Sequence, residues 1–451
     1  MIQILLLLAI LVASYITTHM LMVKIRRWYL VAGGMEYVLL GLALGPRWLG
    51  GLTPEMTEGL LPAVTVGVGS LGLLAGLRLD LRRLAQAEER EFVRVGVVMA
   101  AVMLVVLGGP TLGLLAWISW ADGALALLPL LPPTLLVVAC SLVSASTPIR
   151  YTADLYQARG WVSRLMIRVA ESSEVLAILV FGAVFAIHHP VQMLGPHRIT
   201  PIEWYLLQVG LGVLFGALFS LFLGGQDTKD KLLVALLGII IFPSGIAHYL
   251  SLSPLLITFF IGLTLANATP YGARLREGLE QIEKPLYVVL CVFTGAMWQP
   301  VLRWEVGLLV GAFLALRWAG KWLGAELALG TSEAIPHRAQ GVGAGMVGQG
   351  GVSVALVLSY LQVYAHVSEV GSEVFRSAEA LVYGAPQSPA GMIQPEHDLT
   401  AFLATAVLIG ILANEVIAVR AARHALIRAA EIEPASGLFP EDIYRRPPAS
   451  L

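Results

Sequence analysis

LPPTLLVVACSLVSASTP (residues 131–148) and GVGAGMVGQGGVSVALVLSY (341–360) decide the fold between them. Both are apolar enough to lie in a bilayer, yet both carry residues that an unbroken membrane helix avoids. The first has Pro132-Pro133 near its start and closes in Ser144-Ala145-Ser146-Thr147-Pro148. The second holds Gly341, Gly343, Gly345, Gly348, Gly350 and Gly351. Proline removes a backbone donor and crowds the preceding turn, and glycine is a poor helix former. Unwound backbone is tolerated at membrane depth only where protein or water covers it. Two breaks at corresponding places in the halves of a chain point to the binding site of an inverted-repeat transporter. Residues 343–348 also fit GxGxxG, but no strand precedes them and they lie inside an apolar run. A helix break or close helix packing is therefore the reading, not a dinucleotide site.

The rest of the chain supports that frame. Its 451 residues are 57% hydrophobic and 13% charged, with a mean hydropathy of +0.78. Soluble proteins carry about 25% charged residues, so a large water-soluble enzyme and a single-span receptor with a big ectodomain are excluded. Apolar runs of helical length fall at 3–23, 29–46, 59–77, 95–117, 124–147, 163–187, 203–224, 232–249, 253–267, 285–299, 305–328, 340–363 and 399–419. The first lacks a basic leader and a cleavage site and is read as a helix. A net charge of −1 gives no basic field for nucleic acid. Cys140 and Cys291 lie in apolar runs, so neither a disulfide nor a thiolate metal site is expected. No segment is large enough for a nucleotide-binding domain, so ion-gradient coupling without a cofactor is expected. The fold class is an all-α polytopic membrane protein with about thirteen transmembrane helices.

Alternating the loops tests that count. Twenty-two Lys and Arg fall on one side and four, Arg47, Arg198, Arg303 and Arg376, on the other. The basic side is cytoplasmic by the positive-inside rule, which puts the N-terminus outside and the C-terminus inside. Six helices, a linker helix at about 203–224 and six more helices form inverted repeats with two broken crossing helices. The transmembrane domain is read as residues 1–430. Residues 431–451, rich in proline, form a disordered cytoplasmic tail, and the loop 364–398 is extracytoplasmic.

Ionisable groups inside a bilayer are costly and each is a functional candidate. Glu174 lies near the centre of 163–187 and Arg317 near the centre of 305–328. A desolvated carboxylate can alternate between a proton and a metal cation, which gives exchange if the two compete. The bland reading of Glu174 is a structural ion pair, and that of Arg317 is charge balance. Lys321, one turn from Arg317, is a second charge-balancing cation or a snorkelling one. Arg168, Glu171 and Glu174 share one helical face, so Arg168 and Glu171 are read as lining the cytoplasmic funnel. Glu36 lines the pathway or pairs with Arg317 or Lys321, and Asn414-Glu415 is open in the same way. Ser146 and Thr147, beside Pro148, offer oxygens to a partly dehydrated cation or simply cap a broken helix.

At these residues the chain resembles a family. YVLLGLALGP (37–46) and GLLAGLRLDLRRL (72–84) resemble the early helices of the cation:proton antiporter superfamily. SLSPLLITFFIGLTLAN (251–267), EKPLYVVLCVFTGAMW (283–298), RWAGKWLGAELAL (317–329) and GMVGQGGVSVALVLSY (345–360) follow in the family's order. The resemblance covers residues 25–420 and implies a bacterial sodium/proton exchanger type in an inner membrane. It places the essential carboxylate on Glu174 in SSEVLAILVFG (172–182), the family's broken-helix motif on Ala145-Ser146-Thr147-Pro148 and its basic residue on Arg317. Many members carry Asp-Asp where this chain has Ser173-Glu174. With one titrating carboxylate, exchange of one Na⁺, Li⁺ or K⁺ for one proton moves no net charge, so electroneutral antiport by alternating access is expected. Glu174 would hold the monovalent cation, with Ser146, Thr147 and Ser173 supplying oxygens. Residues 95–187 and 305–419 would form a moving core, and 1–94 and 225–300 a scaffold that makes a homodimer. A role in pH homeostasis follows from that activity. A sodium-coupled symporter of an organic anion and a non-transporting sensor or assembly protein are the other readings.

Overall fold

In lipid a backbone amide has no water to bond, so long apolar runs satisfy themselves as helices. The structure is a computed structural model and describes residues 36–45, 48, 54–121, 130–187, 189, 193–194, 197–223, 229–301, 304–331, 341–362 and 395–432. Its helices are α1 (Glu36–Leu44), α2 (Pro54–Arg78), α3 (Ala87–Met103), α4 (Gly109–Ala121), α5 (Leu131–Leu142), α6 (Ser146–Leu155) and α7 (Trp161–Ile187). They continue as α8 (Pro201–Leu223), α9 (Lys229–Tyr249), α10 (Pro254–Ala268), α11 (Gly272–Met297), α12 (Trp304–Gly330), α13 (Val342–Gly345), α14 (Gly350–Gln362) and α15 (Pro395–Arg428). A π-helical turn, Leu104–Gly108, joins α3 to α4. Seven of the described helices or joined helix pairs are long and apolar enough to cross a membrane. The first expected span (3–23), most of the loop 364–398 and residues 433–451 of the tail lie outside the described residues.

Three differences from the sequence reading have simple causes. The run expected at 285–299 is the apolar end of α11, whose polar first half, GARLREGLEQIEK, is helical without being apolar. Pro132 and Pro133 do not mark the break: they occupy the first turn of α5, where a missing amide costs nothing. Pro148 likewise sits in the first turn of α6, so the chain resumes a helix where a stop was expected. A two-residue hairpin, Met193–Leu194 with His197–Arg198, adds the β-structure among the described residues.

Helices approach closely where glycine removes the side chain between them. At the α1–α11 crossing, a Cβ on Gly41 would stand 2.0 Å from the Val292 carbonyl oxygen, and one on Gly295 would stand 2.0 Å from that of Val38. The α2–α10 crossing is made the same way by Gly72, Gly76 and Gly262. The largest apolar cluster runs through α5, α7, α10, α14 and α15. The apolar window across α5 and α6 is 89% buried, against 22% for α8, so the first broken helix is central and α8 is peripheral.

Between α5 and α6, Val143 and Ala145 adopt extended backbone. Between α13 and α14 the chain turns through Gly350, whose φ of 61° favours glycine. The two breaks touch: the Ala145 amide donates to the Gly348 carbonyl at 2.8 Å. The amide of Ser144 donates to Ser173 Oγ at 2.9 Å, which fastens the first break to α7.

Candidate functional site

Breaking two helices at one depth creates four helix ends inside the protein, two with spare carbonyls and two with spare amides. Cations answer the carbonyl ends. Arg317, fully buried on α12, donates from Nη2 to Val143 O at 2.7 Å and from Nη1 to Val347 O at 2.6 Å. One turn further, Lys321 Nζ donates to Leu142 O and to Ser144 Oγ, both at 2.6 Å. Carboxylates answer the amide ends. Glu415 Oε1 on α15 accepts from the amides of Gln349 and Gly350, each at 2.6 Å. Glu174 on α7 faces the Ser146 amide at the start of α6. Each charge thus complements the partial charge of a half-helix terminus. A side-chain belt completes the joint: Trp318 Nε1 donates to Asn414, Asn414 Nδ2 to Gln349 Oε1, and Gln349 Nε2 to Cys140 O.

Glu174 differs from Glu415 in what else it meets. It lies 3.8 Å from Arg78 Nη1, a residue from the last turn of α2. Arg78 also donates to Glu283 at 3.1 Å and lies 3.8 Å from Glu280, both on α11. Glu174 and Arg78 line a cavity of about 50 Å³ with Asp80, Arg83, Glu89 and Glu171. That is room for a few water molecules. Glu415 is not among the lining residues.

The remaining candidates separate by position. Glu171 lies on the cavity wall, ion-paired to Arg168 at 3.0 Å and to Arg150 on α6. Arg168 also faces Glu89 at 3.4 Å. Ser146 is buried at the break while Thr147 is exposed. Ser173 Oγ accepts from Ser144 and donates to Ala170 O at 2.8 Å, so its hydroxyl is largely committed to holding the break. Glu36 lies beside Tyr287 and Cys291 of α11, not at Arg317 or Lys321. Arg78 is not among the candidates the sequence singles out; it is one of the twenty-two Lys and Arg of the basic side. Its place at the end of an apolar helix was the available signal.

Crossed, broken helices with charged residues at their ends, buried in an all-helical membrane bundle, define an ion-coupled secondary transporter. The chain matches the family described as "Sodium/hydrogen exchanger, transmembrane" over residues 3–383 and belongs to it. It is therefore a multi-pass membrane transporter and not an enzyme. The fold is similar to that of the sodium proton antiporter MjNhaP1 from Methanocaldococcus jannaschii. The structure at pH 8 superposes with a TM-score of 0.60 at 14% identity, covering 95% of this chain and 99% of that one. The electron-microscopy structure gives 0.60 at 16% identity, covering 97% and 99%. No curated protein sequence matches the chain.

Proposed function

We propose that this exchanger binds a monovalent cation and a proton in turn at Glu174 and moves them in opposite directions by alternating access. Cation:proton antiport is the activity of its family. The carrying observation is the position of Glu174: a buried carboxylate at the start of a half-helix that also opens onto a water-sized cavity. A carboxylate so placed can lose water, take a cation and exchange it for a proton. The Ser146 and Thr147 oxygens at the break are within the same turn of chain, while Ser173 keeps the break in register. Arg317 and Lys321 supply the hydrogen-bond donors that let carbonyl ends sit at membrane depth.

The one-for-one, electroneutral stoichiometry rests on counting acids at this place. Glu415 has its Oε1 taken up by two amides and Glu171 is paired with two arginines, which favours Glu174, the acid that opens onto the cavity between α7 and α2, as the exchanging group. Na⁺, Li⁺ and K⁺ are the candidate substrates.

The thirteen-helix inverted repeat is supported by the way contacts swap. If α1, α2, α3, α7 correspond to α10, α11, α12, α15, then the α1–α11 contact exchanges with α2–α10 and the α3–α7 contact with α12–α15. Both pairs occur. The capping exchanges too, since Glu174 on α7 and Glu415 on α15 serve matching half-helices. Residues 95–187 and 305–419 would move as a core against a scaffold of 1–94 and 225–300, with 203–224 as linker. We place the charged mouth of the cavity in the cytoplasm, the N-terminus outside and the protein in a bacterial-type inner membrane as a homodimer serving pH homeostasis.

The test is proton movement from proteoliposomes on addition of Na⁺, Li⁺ or K⁺, for wild type and Glu174→Ala. Exchange by wild type and none by the variant is the expected result. Full exchange by the variant refutes the assignment, and an exchange equilibrium that follows the membrane potential refutes electroneutrality. A protein that kept the fold without transport would move no protons with any cation.

A further inference from the structure

The cavity holds a group that nothing above uses. Arg78 reaches Glu174 from another part of the bundle, and its three acidic neighbours hold it unequally. The bond to Glu283 at 3.1 Å is within hydrogen-bond range, whereas Glu174 and Glu280 each stand at 3.8 Å, beyond it. Arg78 Nε is buried without a hydrogen-bond partner, so the guanidinium is not locked by a full set of bonds. It is anchored on α11 and leans on α7. Glu280 is 42% exposed at the wetter end of the same cluster.

We propose that Arg78 is a resident counter-charge that competes with the incoming cation for Glu174 and withdraws onto Glu280 and Glu283 as the cation binds. This rests on the reading of Glu174 as the exchange site. A metal ion on Glu174 would lie beside a fixed like charge, and the acids of α11 offer that charge somewhere to go. Withdrawal costs little, because the anchoring bond to Glu283 is already made. It also releases the ion pair between α7 and α2, so binding of the cation unfastens two parts of the protein assigned to core and scaffold. Arg78 therefore sets how tightly the site holds its cation, a property separate from the chemistry at Glu174.

A neighbouring opposite charge changes the proton or cation affinity of a carboxylate by about one to three powers of ten. Sharing among three acids puts Arg78 at the low end. Na⁺-driven proton movement in proteoliposomes of the full chain, measured at alkaline pH where few protons compete for Glu174, should therefore show a KM for Na⁺ about tenfold lower in Arg78→Gln. Arg78→Lys should stay near wild type. Glu283→Gln should raise the KM, because the guanidinium loses its anchor and turns to Glu174. In the double variant the Glu283 effect should vanish, since its agent is gone. A purely structural ion pair would reduce protein yield and maximal rate without moving KM in opposite directions. If Arg78→Gln does not fold, Glu283→Gln decides alone: a raised KM supports the proposal and an unchanged one overturns it. An unchanged KM in Arg78→Gln and Glu283→Gln, with Glu174→Ala inactive, overturns this proposal and leaves the exchange site standing. Exchange by Glu174→Ala overturns both.

Discussion

Glu415 and Glu174 occupy matching positions at the two half-helix starts, and replacing each in turn separates capping from transport. Glu415 Oε1 holds two amides at 2.6 Å and the residue is 2% exposed. Alanine there leaves both donors unmet, the Gln349 amide buried and the Gly350 amide partly so, at about 1–3 kcal/mol for the buried one and less for the other. Part of that loss is offset, because the buried carboxylate no longer has to be stripped of water. The net destabilisation of Glu415→Ala is expected at about 2–3 kcal/mol. Glutamine keeps an acceptor oxygen and loses only the charge assistance, which roughly doubles the strength of such bonds. Glu415→Gln should therefore sit between wild type and alanine. The assay is the thermal unfolding midpoint in detergent, read beside Na⁺-driven proton movement in proteoliposomes. The midpoints should fall in the order wild type, glutamine, alanine, with exchange kept in Glu415→Gln and abolished in Glu174→Gln. A Glu415→Ala midpoint equal to wild type refutes the capping argument. Loss of exchange by a fully stable Glu415→Gln refutes the division of labour between the two acids.

Three further outcomes follow from the same geometry. Arg317→Met removes the donors to Val143 O and Val347 O and should lower stability by roughly 2–4 kcal/mol. Equal unfolding midpoints for variant and wild type would contradict its role at the breaks. Gly295→Ala pushes a methyl group to 2.0 Å from the Val38 carbonyl oxygen, so α1 must shift; a loss of about 1–3 kcal/mol or more is expected. Wild-type yield and midpoint in that variant would show that the α1–α11 crossing is looser than described. Glu171→Gln should keep exchange, since its carboxylate is spent on Arg150 and Arg168; an inactive but folded variant would promote Glu171 to the exchange site.

The two helix breaks were legible in the sequence because Pro148 and the glycines of 341–351 act locally, while Pro132 and Pro133 only open α5; the apolar runs were legible because burial in lipid leaves a one-dimensional trace. What the breaks need was not legible. Arg317 and Lys321 bond backbone carbonyls, and a carbonyl has no sequence identity to match against a side chain. Arg78 meets Glu174 and Glu283 across separations that no helical periodicity spans, and a cation in the last turn of an apolar helix looks the same whether it turns outward or inward. The extension of α11 escaped for the opposite reason, since its polar first half is helical by propensity while carrying no membrane signal. Glu171 and Arg168 pair three residues apart on one helix, the spacing at which sequence alone is informative.

The glycine crossings of α1 with α11 and of α2 with α10 bear on how the chain is made. The partner of α2 is synthesised roughly 180 residues after it, about 10–35 s later at ordinary rates of 5–20 residues per second. Through that interval the glycine-lined faces of α1 and α2 lack the helices they finally pack against. A ribosome that stalls between α7 and α10 would thus leave a half-chain with its broken helix unanswered by Arg317, Lys321 and Glu415, and a clear target for membrane proteolysis.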